Sequence, residues 1–487
     1  MKLTKNQVIL LILVLILTFI LIYSPHFKNP YPLHIDEYHH ITEAIKIKQG
    51  IIPQGLTAAK AGFHVILAFI SLFSNLTITY KFLPAIWAVL SALTLFMLIK
   101  NKTSNLKKNF LIALFTVIFF ISIKSNVNIT GLWFFTPLIF SIPFIFLYIY
   151  FFSEGLQKQN KKMILISLII MIFLIVIHSI SVLFAVPILI IYSFFHLNFI
   201  KKQYKFFLLF LIIPILGILF YSFLMNISIT NAITSLLSQL QFKSGWGVLE
   251  IKNSFFELYS PVGYILAVLG IIYITNSKQK LKKYLIYILW PLIVLIYLFI
   301  FKFSGTSFLS PFQRNLYYFA ISLPFLSSLG LYYLILKIKK LTNKINNKKT
   351  RKITYKIIII ILIIIILIFT FKSYYTTPEA LKLYKTIDKN NYEAIRFLSD
   401  IEPKPLKIMA PPEISTAIFP ISQHEPVGTL FFYGNREDVD SFFMINDCNV
   451  KNQILIKNNV SFILSETPIE CGWEAVYNQN NIIYRVQ

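Results

Sequence analysis

Long apolar runs separated by short lysine clusters constrain the fold of this chain more than any other feature. VILLILVLILTFILIY (Val8–Tyr23) opens the series and IIIIILIIIILIF (Ile357–Phe369) closes it. With their flanking residues, such runs reach the 17 to 23 or so residues that a helix needs to cross about 30 Å of hydrocarbon. Eleven spans are expected, over 7–23, 82–99, 109–123, 132–152, 163–177, 180–197, 206–225, 260–276, 284–303, 316–336 and 357–373. The composition agrees: 56% of the residues are hydrophobic, 16% are aromatic, and mean hydropathy is +0.69. Water-soluble domains do not carry that balance.

Charge placement turns the runs into a topology. The net charge of +26 would suit a nucleic-acid partner if the basic residues lay on one face. Instead they cluster between spans, which is the signature of loops retained in the cytoplasm and argues against a nucleic-acid partner. With Lys2 and Lys5 inside, the cytoplasmic loops hold Lys100–Lys108, Lys158–Lys162, Lys201–Lys205, Lys278–Lys283 and KIKKLTNKINNKKTRKITYK. The intervening loops, 24–81, 124–131, 226–259 and 304–315, together with the tail from 375, face outward. GFHVILAFISLF (Gly62–Phe73) is too short for a full span and is read as re-entrant or interfacial; counting it as a crossing would destroy the alternation. The expected protein is thus a multi-pass α-helical membrane protein with a cytoplasmic N-terminus and an extracytoplasmic C-terminal domain, divided as 1–374 and 375–487.

Past residue 375 the composition becomes mixed and near −4 in charge, with 14 acidic and 10 basic residues. NYEAIRFLSDIE has helical spacing, LKIMAPP and VSFILSE read as short buried strands, and AVYNQNNIIYRV alternates about an Asn-rich turn. A small α/β domain follows. The two cysteines of the chain, Cys448 and Cys471, both lie in it. On the outer face of a membrane they are expected to form a disulfide contributing about 3 kcal/mol.

The first 374 residues contain six acidic side chains, and Asp36, Glu37 and Glu43 sit together in PLHIDEYHHITEA. DEYHHITEAIKIKQG reads as a helix, with Asp36 near its start and Gly50 after its end. Asp36, His40 and Glu43 share one face at i, i+4 and i+7. A capped interfacial helix and a divalent-ion site built from Asp36, Glu37 and His40, or with His39 in place of His40, both satisfy that pattern. SGTSFLSPFQRNLYY supplies a second constellation, in which Arg314 stands at the outer mouth of a span beside Tyr317 and Tyr318. It suits either an aromatic interfacial belt or a guanidinium fork for a lipid phosphate. Lys243 and Lys252 are further phosphate candidates or ordinary solvated charges.

This order of features resembles the GT-C class of integral-membrane glycosyltransferases, which use polyprenyl-phosphate-linked sugars. Asp36-Glu37 matches the class's acidic motif in the first outer loop. IDEYHHITEAI is similar to that stretch in the dolichyl-phosphate-mannose-dependent and oligosaccharyltransferase branches, and Gly62–His64 to the short helix that follows. SFLSPFQRNLYYFAISLPFLSSLGL resembles the late helix entrance that carries a phosphate-binding basic residue, here Arg314. KSNVNITG lacks the second acidic motif of oligosaccharyltransferases, and no Trp-Trp-Asp occurs. The resemblance therefore implies transfer of a monosaccharide from a polyprenyl (dolichyl) phosphate to a hydroxyl of a glycan, protein or lipid acceptor. Asp36 would be the base and Glu37 an acceptor or metal ligand, with Mg or Mn as the ion. Arg314 would stabilise the leaving phosphate, and His64, His178 and His40 would line the substrate cavity or simply pack. A transporter or lipid flippase is the competing class, but it calls for mid-membrane charges or repeated halves, and neither is evident.

Overall fold

A computed structural model describes residues 3–27, 29–51, 60–104, 106–125, 131–225, 227–242, 255–372, 385–401, 405–430 and 433–486. Lys243 and Lys252 lie outside the described residues. The chain forms two compact units.

The larger unit comprises Met1–Leu21, Ala85–Leu132 and Pro137–Tyr375 and is almost wholly helical. Among the described residues, seven helices are long and apolar enough to cross a membrane: Lys5–His26, Leu76–Lys102, Pro137–Gln157, Lys161–His178, Lys278–Ser304, Phe312–Thr342 and Lys348–Phe371. The other four expected spans fold as shorter helices, Asn109–Ile121, Ile180–Phe194, Leu209–Met225 and Pro261–Thr275. At 1.5 Å per residue these are shorter than the roughly 30 Å hydrocarbon thickness, so the count of eleven is not reached by this measure.

Two glycines let helix backbones meet. A Cβ at Gly330 would lie 1.8 Å from the Leu266 carbonyl oxygen, and one at Gly270 2.0 Å from that of Leu326. The Pro261–Thr275 and Phe312–Thr342 helices can approach that closely only with bare backbones at both points. Ser327 adds a bond across the same seam, its hydroxyl donating to the Gly263 carbonyl at 2.8 Å.

One ion network is buried in this unit. The Lys102 ammonium donates to Glu154 and, at 2.9 Å, to Gln157 Oε1. Lys158 reaches the other Glu154 oxygen at 2.7 Å. Lys102 and Glu154 are 2% and 5% exposed, whereas the Lys158 side chain is 57% exposed.

The smaller unit gathers Ile22–Pro84, Trp133–Thr136 and Thr376–Gln487. Compactness thus groups the chain differently from the contiguous division expected at residue 374. The reason is a shared core: Tyr31 and Tyr38 are buried with Ile395, Leu398, Ile408 and Phe462. Tyr31 also stacks on Tyr392, with ring centroids 5.0 Å apart. Thr386 N–H donates to the Leu33 carbonyl at 2.8 Å, and the Thr77 hydroxyl to that of Pro420 at 2.8 Å.

Five strands form its sheet: β1 Lys407–Met409, β2 Glu425–Pro426, β3 Phe462–Ser465, β4 Glu474–Asn478 and β5 Ile482–Arg485. Their spatial order is β2-β1-β3-β5-β4. The β1 pairings are parallel, while β3–β5 and β4–β5 are antiparallel. The Lys389–Ser399 helix, both buried strands and the terminal hairpin fall where the sequence pattern places them. Cys448 and Cys471 are disulfide-bonded, with Cα atoms 5.4 Å apart.

The Lys102–Glu154 pair gives a stability test. Glu154→Leu leaves a buried ammonium without its carboxylate and should destabilise the detergent-solubilised protein by about 3–5 kcal/mol. Lys158→Ala removes an exposed partner and should cost less than about 1 kcal/mol. Thermal unfolding of the two variants side by side separates these outcomes.

Candidate functional site

The acidic segment folds as the Ile35–Lys48 helix. Its N-terminal capping differs from expectation, because Asp36 is already inside the first turn. His34 is the cap: its Nδ1 accepts from the Asp36 N–H at 3.2 Å. Gly50 follows the helix at φ +76°, a left-handed conformation that glycine adopts without strain.

Glu37 closes the first turn from the other side. Its Oε2 accepts from the Leu33 N–H at 2.9 Å and the His34 N–H at 3.1 Å. Its Oε1 accepts from the Phe135 N–H at 3.0 Å, across 98 residues of sequence. The side chain is 0% exposed. Burial pushes its carboxyl up to about 7 against the opposing pull of the three amides. With both oxygens bound to backbone and no solvent access, Glu37 is a positioning residue. These bonds favour that role over the substrate or metal role expected from the sequence.

The segment held by Glu37 is pinned elsewhere too. The Tyr80 hydroxyl donates to the Phe135 carbonyl. Phe134 lies against His34, with centroids 4.9 Å apart, and Phe135 against Phe63 at 5.5 Å.

One turn further along, His39 and His40 meet His64 from the Ala61–Ser71 helix. His40 Nδ1 is 2.9 Å from His64 Nε2. Among the described residues, these three form the one group of His, Cys, Asp or Glu side chains able to share an ion, each offering a ligand nitrogen within 4.8 Å of the others. Of the expected ion ligands, His40 and its alternative His39 belong to it, and Asp36 and Glu37 do not. His39 Nδ1 is 4.0 Å from Glu43 Oε1 and 3.4 Å from the Tyr433 hydroxyl. Burial holds the His39 imidazole down at about 4 and pushes the Glu43 carboxyl up to about 7. His40 is held well below the usual histidine range by the same cause.

The sequence resemblance implies a divalent ion, expected as Mg or Mn. Such hard cations take several oxygen ligands, and a three-imidazole group is not that donor set, so no step is derived through either metal. Asp36 is left as the accessible carboxylate of the cluster, with its side chain 33% exposed and 3.7 Å from His34 Nδ1. On the same helix, Thr42 and Lys46 line a half-open cavity of about 150 Å³ with Thr416, Phe419, Glu425 and Tyr433. The Lys46 ammonium lies 4.0 Å above the Tyr433 ring.

Arg314 and His178 belong to the larger unit. Arg314 lies in the first turn of the Phe312–Thr342 helix, where the helix dipole adds positive potential. The preceding loop is tied down by Asn315, whose Nδ2 donates to Ser307 Oγ and to the Ser310 carbonyl, each at 3.1 Å. One turn after Arg314, Tyr318 stacks on Phe184 at 3.7 Å and lies 3.1 Å from Ser181 Oγ. Ser181 is also 2.6 Å from His178 Nδ1 and 2.7 Å from Ser141 Oγ. His178 and Tyr318, the latter one turn after Arg314, are thus joined through Ser181, while Asp36, Glu37, His40 and His64 lie together in the smaller unit. The contribution of Phe135 had little sequence signal, since it arrives from 98 residues away, whereas the spacing already placed Glu43 on one face with Asp36 and His40.

Glu37→Gln tests the latch. An amide presents an NH2 group to one set of backbone N–H donors, so those amides lose their acceptor at about 1–3 kcal/mol. Hydrogen exchange should speed by about tenfold or more in peptides covering Leu33–His34 or Trp133–Thr136. Asp36→Asn should leave both peptides unchanged.

No family model and no curated protein matches this chain. Solved structures do. Archaeal oligosaccharyltransferase AglB from Archaeoglobus fulgidus, in complex with an inhibitory peptide and a dolichol-phosphate, is similar with a TM-score of 0.58 and 13% identity, over 95% of this chain and 69% of that one. The Archaeoglobus fulgidus enzyme tethered to an acceptor peptide containing the NVT sequon gives 0.54 and 12%, over 94% and 69%. Its complex with Zn and sulfate gives 0.55 and 12%, over 93% and 68%. The chain therefore shares the fold of archaeal oligosaccharyltransferase.

Proposed function

We propose that this protein is an integral-membrane glycosyltransferase that takes a sugar from a polyprenyl-phosphate lipid and transfers it to an acceptor hydroxyl on the extracytoplasmic face. The observation that carries the reading is a fold likeness running through 95% of the chain to a protein solved with a dolichol-phosphate. The lysine alternation supports the orientation, with the N-terminus cytoplasmic and the acidic segment and C-terminal region outside.

In this reading Asp36 takes the proton of the acceptor hydroxyl as its oxygen attacks the anomeric carbon. The bond from that carbon to the phosphate oxygen breaks, and the phosphate leaves on its lipid. Arg314, at a helix N-terminus, stabilises the charge gathering on the departing phosphate. Glu37 fixes the turn that carries Asp36 and touches no substrate. His178 and Tyr318 hold the neighbourhood of Arg314, and the cavity beside Thr42 and Lys46 is the candidate seat for a polar acceptor. The two assignments rest on separate units, each on its own geometry. The missing second acidic motif favours a single sugar over a preassembled glycan, although the similar solved proteins are oligosaccharyltransferases.

Membranes containing wild-type, Asp36→Asn or Arg314→Ala protein at equal levels test this with radiolabelled dolichyl-phosphate monosaccharides and a lipid-linked oligosaccharide. Transfer from a monosaccharide donor is expected for the wild type. It should fall about 10²-fold or more in Asp36→Asn, as loss of general base catalysis implies. Arg314→Ala should lower turnover by about 10²-fold through lost transition-state stabilisation. Transfer from the oligosaccharide alone would overturn the single-sugar assignment. Lipid movement without covalent transfer would overturn the enzyme reading.

A further inference from the structure

We propose that His39, His40 and His64 form a binding site for a zinc-class divalent cation, with Glu43 orienting His39 from outside the ligand set. The site is separate from any oxygen-ligated ion at Asp36, and the proposal does not depend on the transferase reading.

Three observations carry it. First, the spacing fits. Tetrahedral Zn–N bonds of about 2.0–2.1 Å place ligand nitrogens roughly 3.3–3.4 Å apart. The His40 and His64 nitrogens stand 2.9 Å apart, and all three ligand nitrogens fall within 4.8 Å. Small side-chain rotations bring the set to coordination distance.

Second, some buried polar atoms of this group are unsatisfied. His40, His64 and Glu43 are buried. Among the described residues, His64 Nδ1 and both Glu43 oxygens have no hydrogen-bond partner. Buried polar atoms are ordinarily satisfied, so unsatisfied ones on His64 and on the carboxylate beside His39 call for an explanation, which a bound ion supplies.

Third, the outer geometry matches metal-bound imidazoles. Such rings direct their second nitrogen at a carboxylate or another oxygen acceptor, which sets the tautomer and orientation. His39 Nδ1 faces Glu43 Oε1 at 4.0 Å and the Tyr433 hydroxyl at 3.4 Å. Nitrogen donors select zinc, cobalt or nickel over magnesium and calcium.

The three ligands come from two helices, with His40 and His64 separated by 24 residues. An ion there would staple the Ala61–Ser71 helix to the helix that carries Asp36, one turn from its start. Its role is to position that carboxylate's helix, and no bond of the transfer reaction is made at the metal.

The test uses full-length protein in detergent, without a polyhistidine tag, stripped by chelator and then titrated with zinc or cobalt. One ion per chain is expected by elemental analysis. The cobalt form should show the intense visible bands of tetrahedral nitrogen–oxygen ligation. His64→Ala should abolish those bands, while Glu43→Gln should weaken binding by about 10- to 100-fold, as loss of a supporting carboxylate does. Asp36→Asn should leave the spectrum and stoichiometry unchanged. The wild-type titration needs no variant to fold. Failure of the wild type to bind either ion would overturn the proposal and leave the His40–His64 contact as a hydrogen-bonded neutral pair. Retention of the cobalt spectrum in His64→Ala, or its loss in Asp36→Asn, would also overturn it.

Discussion

A carboxylate taken out of water costs free energy unless donors replace the lost solvent, and Glu37 receives three backbone N–H groups in exchange. That compensation also does structural work. Two of the donors, Leu33 and His34, set the entry to the helix that carries Asp36, His39, His40 and Glu43. The third, Phe135, comes from a segment nearly a hundred residues later. The position of the whole acidic cluster follows from where this one buried side chain finds its donors.

Carboxylates are scarce in the first 374 residues, and the described ones divide into distinct tasks. Glu154 neutralises Lys102 and Lys158. Glu37 binds backbone, and Glu43 stands beside His39. Asp36 remains partly exposed. The density of acid in PLHIDEYHHITEA is therefore not a cluster of equivalent catalytic groups. Each side chain meets a different partner, and Asp36 is the most accessible of the three. On the other unit, Arg314 is set by a loop tied through Ser307, Ser310 and Asn315.

Much of the architecture was legible because it depends on short-range physics. Apolar length and lysine placement report on membrane crossing, since each loop's charge is felt locally at the bilayer surface. The Lys389–Ser399 helix and the terminal hairpin follow from spacing of 3.6 and 2 residues. The departures came where lengths or partners were not local. Asn109–Ile121 and Pro261–Thr275 are apolar enough to read as spans, yet their helices end early. Asp36 looked like a cap because its position was right, but His34 and Glu37 took the backbone donors first.

By itself, the sequence determined a helical chain with membrane-crossing segments, an α/β region after it, and one acidic segment worth attention. It did so through residue type and periodicity, which bury or solvate a segment regardless of its distant neighbours. Only the tertiary structure decided that Glu37 is a latch, that Glu43 serves a histidine, and that His64 joins His39 and His40. Those roles depend on which groups meet after desolvation, from Phe135 to Tyr433, and hydrogen-bond and ligand geometry at 3 to 4 Å has no period in the chain to announce it.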